Sequence, residues 1–86
     1  MAELKINIPE YAQEKGAVSI WEDGFIIKSE VLNDQIMISG SHAGLISLAK
    51  QLLFMAHAET PAGCHYHLDE HNSLKSGSKE IVISKI

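Results

Sequence analysis

Two dipeptides ten residues apart, Asp23-Gly24 and Asn33-Asp34, constrain this chain more than any other feature. Each is a two-residue hairpin signal, because a type I′ turn needs φ > 0 at both central positions and Asp, Asn and Gly tolerate that region. A loop of fixed length leaves no freedom of register. The first turn sets Glu22 opposite Phe25, Trp21 opposite Ile26, Ile20 opposite Ile27 and Val18 opposite Ser29. The second sets Val31 opposite Ile36, Glu30 opposite Met37 and Ser29 opposite Ile38. The two registers agree, so a three-stranded meander is predicted. One face carries Val18, Ile20, Phe25, Ile27, Val31, Ile36 and Ile38, and reads as the core face. The other carries Ser19, Trp21, Ile26, Lys28, Glu30, Met37 and Ser39.

Around this meander the period changes. Leu4, Ile6 and Ile8 alternate with polar residues until Pro9, which predicts a first strand, and Glu10 to Gly16 reads as a polar connection or a short helical turn. Between Ser41 and Ala58 the spacing becomes helical, with Leu45, Leu48, Ala49, Leu52, Leu53 and Ala56 on one stripe and Phe54 away from it. Ser41 is the predicted N-cap, and Pro61 with Gly63 closes the connection that follows. Cys64 to Leu68 and Glu80 to Ile86 read as two more strands joined by a long polar turn from Asp69 to Lys79. The expected fold is α+β, a two-layer sandwich with the order ββββαββ, its mostly antiparallel sheet covered on one face by the single helix. The second face, with Trp21, Ile26 and Met37, is then left for solvent, a partner, a second copy or the Glu10–Gly16 segment.

Composition narrows the function classes. Eighty-six residues make one domain, residues 1–86. Seven basic residues against eleven acidic ones give a net charge of −4, and every basic residue is lysine. A nucleic-acid partner is not expected without a basic face or any guanidinium to grip phosphate. The one cysteine, Cys64, has no intrachain partner and reads as a buried structural thiol, which fits a reducing cytoplasm. No membrane segment or leader is expected from the apolar runs or from the opening residues Met1 to Lys5.

No catalytic constellation stands out, and no cofactor is expected. Ser39-Gly40-Ser41-His42-Ala43-Gly44 lies where a phosphate loop would, but lacks the Gly-Lys-Ser/Thr ending. Cys64 and His65 are adjacent on a strand and point to opposite faces, so they cannot act as nucleophile and base. His65 and His67 project from one side of a strand that Asp69 would continue, a set able to meet a divalent metal, although the same spacing also describes a plain polar face. Asp69 and Asn72 are better read as caps of neighbouring backbone groups, with Leu74 pinning the turn to the core.

The C-terminal half carries a resemblance. The helix from Gly44 to Leu53, the link Pro61-Ala62-Gly63, the string His65-Tyr66-His67-Leu68-Asp69-Glu70-His71-Asn72-Ser73-Leu74 and the later Gly77-Ser78-Lys79-Glu80 resemble a family of small bacterial immunity proteins from polymorphic toxin systems, of the immunity protein 32 type, over residues 38–86. The resemblance implies a non-enzymatic protein that neutralises a cognate toxin by direct binding. Its acidic charge suits a basic toxin, and the expected contact residues are Trp21, Ile26, Met37, His65 and His67. The other readings are a small metal-binding domain using His65, His67 and Asp69, and a homodimeric ligand-binding domain paired through the uncovered sheet face.

Overall fold

A computed structural model describes residues 2–9, 11–12 and 19–86. Its element order is β1 (Ile27–Leu32), β2 (Gln35–Gly40), α1 (His42–Ala56), β3 (His65–Leu68) and β4 (Ile81–Ser84). The fold is α+β, as the alternation of periods implies. Among the described residues the six expected strands reduce to four, in two separate antiparallel pairs, β1–β2 and β3–β4, rather than one sheet.

The second hairpin forms in the register its turn dictates: Val31 lies opposite Ile36, Glu30 opposite Met37 and Ser29 opposite Ile38. Asn33 and Asp34 both adopt left-handed backbone, at φ 52° and 62°, as a type I′ turn requires. The first hairpin does not form. At Asp23-Gly24 only Gly24 has positive φ, at 82°, with the Phe25 N–H bonded to the Glu22 carbonyl at 3.1 Å. That pattern belongs to a type II turn, whose twist does not extend a strand ladder.

The segment before this turn is held by side chains of α1 instead. Gln51 brackets Ile20, its Oε1 accepting the Ile20 N–H at 3.1 Å and its Nε2 donating to the Ile20 carbonyl at 2.8 Å. Ser47 Oγ accepts the Glu22 N–H at 2.8 Å, and Lys50 Nζ pairs with Glu22 Oε1 at 2.5 Å. Of the expected strand partners, Val18 lies outside the described residues, as does most of the Glu10–Gly16 connection; residues 2–9 contain no strand.

This arrangement rotates the helix relative to its apolar pattern. The buried side of α1 is Gly44, Ser47, Gln51, Phe54 and Met55, while Leu45, Leu52 and Leu53 are exposed. Phe54, expected off the apolar stripe, is 1% exposed and joins Ile27, Met55, Tyr66, Leu68 and Leu74 in the core. Backbone proximity explains the inversion. A Cβ on Gly44 would stand 2.0 Å from the Ile26 carbonyl oxygen, so only glycine lets the chain before β1 lie directly on the helix. Ser41 anchors the same crossing. Its Oγ caps α1 by accepting the Gly44 N–H at 3.0 Å, also accepts the Ile26 N–H at 2.9 Å, and its own N–H donates to the Ile26 carbonyl at 2.9 Å.

The expected core face of the meander is accordingly buried only at its base. Ile27 and Ser29 are buried, but Val31, Ile36 and Ile38 are exposed, and so is Ile20, because α1 packs beside the base of the hairpin and leaves its far end uncovered. The β3–β4 pair matches expectation more closely. Tyr66 and Leu68 point into the core, Phe54 and Tyr66 meet edge-on with ring centroids 6.3 Å apart, and Cys64 is half-buried against the same cluster.

Candidate interaction surface

The turn after β3 builds one wall of the surface. The Asp69 carbonyl accepts the Asn72, Ser73 and Leu74 N–H groups, and Asp69 Oδ1 accepts the His71 N–H at 2.8 Å. Asn72 closes the loop: its Oδ1 accepts the Asp69 N–H at 3.0 Å and its Nδ2 donates to the His67 carbonyl at 2.7 Å. Asp69 and Asn72 therefore cap backbone, and Leu74 is buried beneath them. From Leu74 the chain crosses to β1, where the Lys75 and Lys79 N–H groups bond to the Ile27 and Ser29 carbonyls, and Ser29 Oγ donates to the Lys79 carbonyl.

Two hollows adjoin at Ser73. One, of about 310 Å³, is bordered by Ser19, Trp21, Tyr66, His67, Asn72 and Ser73. The other, of about 280 Å³, is bordered by Phe25, Ile26, Ser73, Leu74 and Lys75. Trp21 and Phe25 join them, their rings 4.9 Å apart and inclined at 30°. Trp21 is half-buried, packs against the core and donates from Nε1 to Ser19 Oγ at 2.7 Å, so its indole is held in one orientation. Tyr66 forms the floor, and burial, with a smaller contribution from the charge of Cys64, pushes its phenol from 10.0 up to about 12.

Of the five residues expected to meet a partner, the structure brings Trp21, Ile26 and His67 to this region, and His65 adjoins it through a T-shaped contact with His67, ring centroids 4.9 Å apart. Met37 stands elsewhere, on the exposed hairpin opposite Glu30. The five do not share one open sheet face, because Trp21 and Ile26 lie outside the strands. Phe25, Asn72 and Ser73 belong to the region and were not anticipated. The meander register places Phe25 in the core, but that register does not form, and the signal for its position is a tryptophan and a phenylalanine flanking one turn.

His65 and His67 are exposed. His65 Nδ1 lies 2.9 Å from the Gly63 carbonyl and His67 Nδ1 lies 3.6 Å from Glu80 Oε2, while the Asp69 carboxylate turns to its own loop. Among the described residues no three His, Cys, Asp or Glu side chains converge where they could hold a metal ion, so the alternative set of His65, His67 and Asp69 does not come together. No described helix is long and apolar enough to cross a membrane.

No curated protein and no solved structure matches this chain. A family model does, that of immunity protein 32, over residues 35–86. The match takes in β2, α1, both strands of the C-terminal pair and the Asp69–Leu74 turn; Trp21 and Ile26 precede it. With more than half its length matched by that model, the chain belongs to the immunity protein 32 family.

Proposed function

We propose that this protein neutralises a cognate toxin by direct binding, without chemistry of its own, and that the contact is centred on Trp21, Ile26 and His67 with His65 at its margin. The carrying observation is the joined pair of hollows around Ser73 with the Trp21–Phe25 aromatic pair between them. A fixed indole beside shallow, partly apolar depressions is what binding hot spots are made of, since aromatic anchors there gain packing at little cost in side-chain entropy. The turn that forms one wall is closed by its own hydrogen bonds, so the surface is preorganised. The net charge of −4 favours a basic toxin, for which opposite charge speeds encounter and an acidic body obstructs a phosphate-binding cleft.

Co-expression with the toxin encoded beside this gene is the test. Growth rescue and stoichiometric co-purification are expected, with both weakened by Trp21→Ala and by His67→Asp in protein whose circular dichroism is unchanged. Rescue by both variants at wild-type level would remove this surface from the account. Absence of any complex with the wild-type protein would remove direct binding.

A further inference from the structure

The outer edge of β2 has an unusual combination of properties. On β1 the Ile27 and Ser29 carbonyls accept from Lys75 and Lys79, so those two residues point their main-chain groups away from β2. In an antiparallel ladder both members of such a pair point outward, which turns the main-chain groups of Gly40 and Ile38, and by alternation Ile36, to the free side of β2. The 75–79 segment covers the β1 edge. Among the described residues nothing bonds to Ile36 or Ile38 on the opposite edge.

That edge carries none of the usual protections against pairing. It has no proline, bulge or lysine, and Ile36 is 77% exposed, with Ile38 and Met37 also exposed. It also lies within the longest stretch of the chain free of Asp, Glu and Lys, residues 35–49. For a protein of charge −4 this is where a second copy can approach without a carboxylate or ammonium of the strand itself to bury unpaired.

We infer that β2 pairs antiparallel with β2 of a second copy about a two-fold axis perpendicular to the hairpin. Such an axis keeps each face on its own side, so only residues of the same face can oppose each other. With Met37 on the axis, Ile36 of each copy lies opposite Ile38 of the other and Gln35 opposite Ser39. The outward main-chain groups of Ile36 and Ile38 then meet as hydrogen-bonded pairs, the isoleucines pack on one face, and the two Met37 side chains touch on the other. The strand is self-complementary in main-chain hydrogen bonding and carries no charge, which selects a second copy as its occupant. The inference is independent of the toxin-binding surface.

The test uses the full chain with Cys64→Ser. Met37→Cys in that background should form an intermolecular disulfide under mild oxidation about tenfold faster than Glu59→Cys, because the axis holds the two thiols at high effective concentration. Sedimentation equilibrium of the unmodified protein should show its mass rising from 9.4 kDa toward twice that value with concentration. Ile38→Pro, which removes a donor that the β1–β2 ladder does not use, should stay at 9.4 kDa with unchanged circular dichroism. A constant monomer mass for the unmodified protein, equal cross-linking rates at positions 37 and 59, or a dimer that survives Ile38→Pro would each overturn the pairing.

Discussion

The two sides of α1 invert the ordinary relation between polarity and burial. Leu45, Leu52 and Leu53 lie open on one side, while Ser47 and Gln51 on the other are almost wholly buried. A helix face can serve the backbone of a neighbouring segment as well as an apolar core. The buried side supplies a hydrogen-bonding rail for an extended segment that has no neighbouring strand, and every buried side-chain nitrogen and oxygen among the described residues has a partner. The leucine side contributes little to the core and is available for contacts with other molecules.

Mutations on the two sides should therefore differ in cost, in an order opposite to hydrophobic periodicity. Phe54→Ala empties the centre of the core and should cost about 3–5 kcal/mol in chemical denaturation. Gly44→Ala raises intrinsic helix propensity, yet its new methyl meets the Ile26 carbonyl, so a net loss of about 2–3 kcal/mol is expected. Gln51→Leu leaves the Ile20 N–H and carbonyl without their side-chain partners and should cost about 1–3 kcal/mol despite its greater hydrophobicity. Leu52→Ala and Leu53→Ala should each cost less than about 1 kcal/mol. Equal losses at Phe54 and Leu52 would restore the leucine stripe as the core side.

Stability should also depend on pH in the alkaline range, through Tyr66. Tyr66 holds its proton more tightly folded than unfolded, its phenol rising from 10.0 to about 12. A raised folded value means the stabilisation is fully present below pH 10 and is lost as pH climbs toward 12. Denaturation midpoints should fall across that window in the wild type and fall less in Tyr66→Phe. Parallel curves would place the phenol in a solvent-like site.

Legibility in the sequence followed whether a residue's role was set by local chemistry. Asn33-Asp34 fixed its hairpin because both residues accept left-handed backbone, and Ser41, Asp69 and Asn72 were readable as caps from side-chain reach alone. The inverted helix was not readable. Ser47 and Gln51 are buried for the sake of main-chain groups more than twenty residues away, and nothing in a periodic pattern distinguishes a glutamine facing water from one bracketing Ile20. Asp23-Gly24 misled because it accepts more than one turn type, and the choice was made by the docking of its flanks on α1. The surface around Ser73 was half legible. Trp21, Ile26 and His67 are recognisable as contact candidates by residue type, but what gathers them is the crossing from the Asp69–Leu74 turn to β1, a long-range arrangement.

Trp21 is the only tryptophan in the chain, so a tryptophan probe reports on the proposed toxin-binding surface alone. Protein labelled with 5-fluorotryptophan gives a single ¹⁹F resonance to follow while unlabelled, inactivated cognate toxin is titrated in. Toxin binding over Trp21 predicts that this resonance shifts and broadens to a stoichiometric end point. A complex that forms while the Trp21 resonance keeps its position and width would contradict the account.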